Sequence, residues 1–114
     1  MSVVSVYCIF GSADEAERIG RTVVEERLAA CINVLSPCRS VYRWHGEIET
    51  AEEVPAILKT TASQADLLIA RIAALHSYEV PAIAVWPTSW RRRQRGNGTK
   101  FRWATRRSKS SLGP

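Results

Sequence analysis

The sequence predicts an α+β fold, on the basis of two observations. Stretches of alternating, β-branched residues are separated by two stretches whose apolar residues recur at helical spacing. A turn signal near the middle of the chain divides two long strands. The resulting order is strand, helix, strand, strand, helix, strand, which is the split βαβ of ferredoxin-like folds. Both helices are expected on one face of the sheet.

The first strand and the first helix occupy the start of the chain. Residues 2–10 alternate, and Ser12 followed by Glu15 is a capping-box pattern that predicts the start of a helix. One face of the strand holds Val4, Val6, Cys8 and Phe10. The apolar face of the helix consists of Ala16, Ile19, Gly20, Val23, Val24 and Leu28.

The middle of the chain predicts one long β-hairpin. Residues 30–44 have strand character that Pro37 interrupts, residues 44–47 are typical of a turn, and a second strand runs from Ile48 to Thr61. Pro55 has no N–H to donate to a ladder, so we expect an edge or a bulge at this position.

A second helix and a last strand follow the hairpin. Ser63 and Asp66 form a second capping-box pattern, which predicts a helix start. The apolar stripe of this helix is Ala65, Leu68, Ile69, Ile72 and Leu75. The short apolar run from Val80 to Trp86 predicts the last strand.

The predicted hairpin is longer than the helices that would cover it. A strand of about 14 residues spans roughly 45 Å, whereas a helix of about 13 residues spans about 20 Å. Apolar residues beyond the helices therefore need burial against another subunit. We predict a closed homo-oligomer whose interface includes Tyr42, Trp44 and Ile48.

The composition is that of one globular domain. The chain has 114 residues with 46% apolar side chains, and it has no apolar run of the roughly 20 residues that a membrane span needs. Its first ten residues lack the basic region and cleavage site of an export signal, which favours a cytoplasmic location. The three cysteines, at positions 8, 31 and 38, contain no C-x-x-C pair, so reduced thiols are expected.

Charge divides the chain at Pro87. Residues 1–87 carry seven Lys and Arg against all eleven Asp and Glu, whereas residues 88–114 carry nine basic residues and no acidic ones. We therefore predict a domain over residues 1–87 followed by a basic tail over residues 88–114. Three interpretations of the tail remain open. The tail results from a reading-frame change, is a natural disordered extension, or binds single-stranded nucleic acid. The third interpretation rests on basic residues interleaved with aromatic ones.

Four segments, taken in their order and spacing, resemble the CutA family of divalent-cation tolerance proteins. The segments are Glu26–Asn33, Tyr42–Glu49, Glu53–Thr61 and His76–Pro81. The match covers about residues 3–87, and the basic tail does not match. The resemblance implies a ferredoxin-like subunit in a homotrimer whose long hairpins form sheets between subunits. It also implies a role in tolerance of divalent metals, especially copper, and in the response to such ions.

The resemblance also implies a copper site. The family's proposed ligands correspond to Cys8 and His76, while Leu75 stands where some members have a further histidine. A thiol with an imidazole is a soft pair that suits copper but leaves its shell incomplete, so weak binding is expected. By its local sequence alone, Cys8 is better explained as a small buried apolar residue. His76 is explained as well by the preference for histidine at a helix C-terminus as by metal binding.

The resemblance implies a second site as well. Proteins of this family are similar in architecture to the PII signalling proteins, so a small-molecule signalling role is an alternative. Glu53, Lys59 and Tyr78 are implied to line a cleft between subunits, where they would bind a ligand or form interface ion pairs. The chain has no nucleophile elbow, Gly-rich phosphate loop or H-E-x-x-H motif, so we predict that it is not an enzyme.

Overall fold

The computed structural model describes residues 2–87 and 100–102 of the chain. Within these residues it contains two helices and one antiparallel sheet of six strands, so the predicted α+β class is confirmed. The elements are β1 (Val3–Phe10), α1 (Ala13–Glu25), β2 (Cys31–Val34), β3 (Cys38–Trp44), β4 (Glu47–Thr61), α2 (Ala65–Leu75), β5 (Ile83–Pro87) and β6 (Lys100–Arg102).

Strand β1 lies inside the sheet. In the order β2–β4–β1–β5–β6 it pairs with β4 on one side and with β5 on the other, and both pairs are antiparallel. Val6, for example, lies opposite Leu58 of β4 and Val85 of β5. Directly opposite residues share a face, so alternate residues of the three strands form one apolar surface.

Both helices cover this apolar surface. Their buried side chains belong to the same hydrophobic cluster as the alternate residues of β1. Members with almost no exposed surface are Val6, Cys8, Phe10, Ile19, Val23, Leu58, Leu68 and Ile72. The apolar stripes predicted from helical spacing are thus the core-facing sides of α1 and α2. Of the helices in the described part of the chain, none is long and apolar enough to span a membrane.

The start of α1 has the predicted capping box. The Ser12 hydroxyl accepts a hydrogen bond from the Glu15 N–H at 3.1 Å. The Glu15 carboxylate turns back and accepts a hydrogen bond from the Gly11 N–H at 3.2 Å, one residue before the N-cap. These two bonds satisfy backbone donors that have no partner within the helix.

The start of α2 differs from the prediction. Its N-cap is Gln64, which makes no side-chain capping bond, so the predicted capping box of Ser63 and Asp66 is wrong. The Ser63 hydroxyl instead lies 3.2 Å from the Thr61 hydroxyl, which accepts a hydrogen bond from the Gln64 N–H. This local turn holds the Ser63 side chain away from the first turn of the helix.

Strands β3 and β4 form the predicted hairpin. Trp44 lies opposite Glu47, and the two residues between them, His45 and Gly46, have φ angles of 51° and 81°. Two successive positive φ angles are typical of a type I′ turn, whose twist matches that of the flanking strands. The predicted turn is confirmed, and it sets the register of the hairpin.

Pro55 lies opposite an interruption in the neighbouring strand. β2 pairs with residues 56–59 of β4 and β3 pairs with residues 47–53, which leaves residues 54–55 facing the gap. Across this gap the Pro55 carbonyl accepts a hydrogen bond from the Leu35 N–H at 2.9 Å. The nitrogen and oxygen of one residue point to the same neighbour in an antiparallel ladder, so the proline nitrogen also faces the gap. The expected irregularity is therefore a break in the partner strand.

The hairpin projects beyond the helices. The 15 residues of β4 span roughly 50 Å, whereas the 13 residues of α1 span about 20 Å. The half of β4 that pairs with β1 is largely buried, and the half that pairs with β3 is largely exposed. On the projecting part of the hairpin, Val41 of β3 is 67% exposed and Ile48 of β4 is 61% exposed.

The end of the domain differs from the prediction in two respects, the start of β5 and the presence of a further strand, β6. β5 begins at Ile83 rather than at Val80, because Pro81 interrupts the run and cannot donate to a ladder. Beyond it, the backbone of β6 pairs with β5, with Arg102 opposite Ile83. Residues 88–99 and 103–114, which include most of the basic tail, lie outside the described residues, so the boundary at residue 87 stays a prediction.

Gly20 allows α1 to approach β2 closely. A Cβ atom at this position would lie 2.6 Å from both Cγ2 and Cδ1 of Ile32. Because isoleucine is branched at Cβ, it has few alternative rotamers with which to move away. Position 20 therefore requires glycine, because there is no room for a Cβ atom between α1 and the side chain of Ile32.

We predict that Gly20→Ala lowers the free energy of unfolding by up to about 2 kcal/mol. A methyl group that overpacks this contact costs about 1–3 kcal/mol, and the roughly 1 kcal/mol by which alanine favours a helix over glycine offsets part of that cost. Urea unfolding at one fixed protein concentration measures the effect.

Ile32→Ala provides the control for this contact. Combined with Gly20→Ala it should cost less than the sum of the two single changes, since it removes the atoms that clash. Strictly additive effects would contradict the close approach of α1 and β2.

Candidate functional site

The two predicted metal ligands lie at the same end of β1. Cys8 is in the strand, opposite Ala56 of β4 and Ile83 of β5. His76 follows α2 directly, and its Nε2 lies 2.8 Å from the carbonyl oxygen of Ile9, the residue after Cys8. Cys8 has no exposed surface and His76 is 1% exposed. The fold thus brings the two residues to one buried region.

Both nitrogens of the His76 ring make hydrogen bonds within the protein. Nδ1 accepts a hydrogen bond from the Tyr78 N–H at 3.0 Å, so it carries no proton. The proton is then on Nε2, which donates to the Ile9 carbonyl. The ring also stacks on Phe10 at a centroid distance of 4.9 Å and contacts Tyr78 at 4.8 Å. The one in-plane lone pair of this tautomer, on Nδ1, is therefore already used by the Tyr78 N–H.

The Cys8 thiol is held in its neutral form. Burial raises the pKa of this thiol well above its usual range, and the nearby Glu15 charge raises it further. Metal ions bind the thiolate, so this environment opposes coordination. In the conformation described, Cys8 and His76 do not fit a bound metal ion. Across residues 2–87 and 100–102, moreover, no group of three or more His, Cys, Asp or Glu side chains could hold one.

Glu15 ties the start of α1 to the turn that follows α2. Its carboxylate accepts hydrogen bonds from the Ser77 N–H at 2.7 Å and the Ser77 hydroxyl at 3.0 Å, in addition to that from the Gly11 N–H. It also lies 3.7 Å from Nδ1 of His76, but that nitrogen is unprotonated, so we do not regard the contact as an ion pair. Sequence reasoning identified Glu15 as a helix-capping residue and missed its bonds to Ser77.

Glu53 and Tyr78 are in direct contact within one subunit. The Tyr78 hydroxyl donates a hydrogen bond to the Glu53 carboxylate at 2.5 Å, and Glu53 is 2% exposed. Because Tyr78 also binds Nδ1 of His76 through its backbone, the contacts form one chain from β4 through the turn to β1. We call Glu53, Tyr78, His76 and Glu15 the polar network.

Lys59 lies apart from this network within one subunit. It is six residues beyond Glu53 on the same strand, a separation of about 20 Å. Lys59 lines a different groove, near the C-terminal end of α1. A ligand pocket formed by Glu53, Lys59 and Tyr78 together would therefore need more than one subunit, and it stays a prediction.

The predicted interface residues lie on two faces of the hairpin. Tyr42 and Trp44 are opposite Glu49 and Glu47, whereas Ile48 is opposite Arg43 and therefore on the other face. Tyr42 and Trp44 are partly buried, and Ile48 is exposed. The projecting hairpin thus has apolar side chains on both of its faces.

These features define a small α+β protein with one helical layer, a projecting hairpin and a closed polar network at the end of its central strand. The family model of the CutA1 divalent ion tolerance protein matches residues 4–95 of the sequence. The chain therefore belongs to the CutA1 family.

Individual relatives agree with this assignment. The divalent-cation tolerance protein CutA of Thermus thermophilus is 42% identical over 76 residues, which are 67% of this chain and 74% of that protein. The CutA of Pyrococcus horikoshii is 44% identical over 81 residues, which are 71% of this chain and 78% of that protein. The crystal structure of CutA from Xylella fastidiosa has a TM-score of 0.75 at 37% identity, covering 78% of this chain and 86% of that chain.

We predict that Glu15→Ala lowers the free energy of unfolding by about 1–3 kcal/mol, because the partly buried donors of Ser77 lose their acceptor. Glu17→Ala, an exposed change on the same helix, is the matched control and should alter stability by no more than about 0.5 kcal/mol. Urea unfolding at one protein concentration compares the two variants. Equal effects would show that the Ser77 contact contributes nothing.

Proposed function

We propose that this protein is a non-enzymatic, homotrimeric protein of divalent-metal tolerance and response, and that it binds copper or another divalent ion weakly. The observation that carries the functional part of the proposal is the match of the CutA1 family over residues 4–95. The relatives from Thermus thermophilus and Pyrococcus horikoshii are themselves named divalent-cation tolerance proteins.

The hairpin supports the homotrimeric part of the proposal. Its exposed Val41 and Ile48 lie beyond the reach of the subunit's own helices, so another subunit is needed to remove them from water. The sheet order supports a ferredoxin-like subunit with one elongated hairpin, when β2 and β3 are counted as one interrupted strand. A closed ring of such subunits would cover each hairpin with its neighbour.

The closed state of the polar network opposes metal binding at Cys8 and His76, so any binding there is expected to be weak. To bind an ion at Cys8 and His76, the protein would have to break a hydrogen bond of His76 and deprotonate a buried thiol. The apparent dissociation constant is the intrinsic constant divided by the fraction of molecules in the open state. A small open fraction therefore makes the measured affinity low, even for a soft thiol and imidazole pair that suits copper.

We predict that Ile48→Lys weakens the homotrimer, because it places a charge on an apolar surface that needs burial. The matched control is Leu67→Lys on α2, where the side chain is 60% exposed in the subunit. Light scattering after size-exclusion chromatography should give a trimer mass for the control and a smaller mass for Ile48→Lys at low micromolar concentration. An unchanged mass for Ile48→Lys would remove this residue from the interface.

We predict that the double variant Cys8→Ala, His76→Gln binds copper(II) at least about tenfold more weakly than the unaltered protein. Anaerobic titration against a coloured competing chelator measures the affinity. The matched control is Cys38→Ala, His45→Gln, which also removes one thiol and one imidazole but leaves the polar network intact.

Circular dichroism should show that both double variants are folded at the titration temperature. The proposal expects the control to bind copper like the unaltered protein. If Cys8→Ala, His76→Gln also binds copper unchanged, the ion binds at other residues and the assignment of Cys8 and His76 is wrong.

A further inference from the structure

Strand β6, at the start of the tail's last part, occupies one edge of the sheet. In the sheet order it lies outside β5, which would otherwise be the last strand on that side. The outward N–H and C=O groups of an edge strand pair readily with a strand of another chain. β6 therefore covers an edge of the domain at which a further strand could add. The paired positions are Ile83 with Arg102, Ala84 with Phe101 and Val85 with Lys100.

The backbone shows which groups of β5 are covered by β6. Just before β5, the Ala82 carbonyl accepts a hydrogen bond from the Ile9 N–H at 3.4 Å, so Ala82 directs its backbone groups toward β1. This direction alternates along an antiparallel strand, so Ile83 and Val85 direct their N–H and C=O groups away from β1 and toward β6. Their partners in β6 are Arg102 and Lys100.

The proposed homotrimer needs this edge if its subunits associate by strand pairing. A closed ring of three identical subunits joins two different surfaces of each subunit. The sheet ends at β2 and β3 on one side and at β5 and β6 on the other. Strand pairing around a ring therefore joins β3 of one projecting hairpin to the β5 side of the next subunit, where β6 already lies.

Composition favours β5 over β6 as the strand that meets a neighbouring hairpin. β5 contains no charged residue, whereas two of the three residues of β6 are basic. The hairpin strand β3 is basic as well, with Arg39 and Arg43 and no acidic residue. Like charges on adjacent strands are destabilising, and basic residues on an edge strand discourage the addition of another strand. β3 can therefore add to β5 at a lower electrostatic cost than to β6.

We propose that β6 competes with the hairpin of a neighbouring subunit for the edge of β5, so that the tail limits assembly of the homotrimer. This inference rests on the homotrimer proposed above. A subunit accepts the neighbour's strand only while β6 is released, and all three edges of a ring must be open at once. The apparent affinity between subunits therefore falls with the fraction of molecules in which β6 is released.

The double variant Lys100→Pro, Arg102→Pro of the full-length chain tests this competition. Proline removes the two N–H groups of β6 that face β5, and residues 1–87 stay unaltered. Analytical ultracentrifugation over a range of concentrations should show half-assembly of the trimer at a protein concentration at least about fivefold lower than the unaltered protein needs. An equal concentration would overturn the proposal, and a higher one would make β6 part of the interface.

The matched control is Lys100→Gln, Arg102→Gln, which removes the same two charges but keeps both N–H groups. Its half-assembly concentration should stay within about twofold of that of the unaltered protein. If this control assembles as readily as the proline variant, the charge of the tail limits assembly and strand competition is wrong.

The same measurement separates this inference from the proposed homotrimer. A trimer with equal half-assembly concentrations for the unaltered protein and the proline variant contradicts the competition alone. Monomers at every concentration, in both the unaltered protein and the proline variant, contradict the homotrimer and with it the competition.

Discussion

Strand β4 constrains most of the structure, because it pairs with three other strands. One half of it forms ladders with β1 and β2, and the other half pairs with β3 beyond the reach of the helices. Its 15 residues exceed the length of either helix by a factor of more than two in ångströms. A buried layer and a projecting hairpin are therefore properties of one strand, and our proposal of a partner subunit rests on its length.

The polar network occupies the end of β1 where four segments meet. Glu15 comes from α1, Glu53 from β4, and His76 and Tyr78 from the turn after α2. Every described bond of this network runs between buried or partly buried groups, so each donor needs its acceptor. The same bonds that hold the turn in place occupy the nitrogens of His76. Structural order and access to metal are thus opposed at this residue.

Most of the fold could be predicted from local patterns, and the errors have local causes as well. Alternation in β1 and helical spacing in α1 and α2 identify the faces that form the core, because burial follows the period of each element. The second capping box failed because the Ser63 hydroxyl has a closer partner in Thr61. The last strand begins late because Pro81 follows Val80 directly. Hydrophobic periodicity reports neither the competing hydrogen bond of Ser63 nor the missing N–H of Pro81.

The sequence by itself determined the order of the elements as far as β5, the faces that pack, the turn at His45 and Gly46, and the excess length of the hairpin. The tertiary structure alone decided how the candidate residues are placed. Hydrogen bonds to Ile9 and Tyr78 occupy both ring nitrogens of His76, and a hydrogen bond joins Glu15 to Ser77 across 62 positions of the chain. Within one subunit, Lys59 is separated from Glu53 along β4. Periodicity is a property of neighbouring residues, whereas these contacts depend on the relative position of whole elements, which no local pattern records.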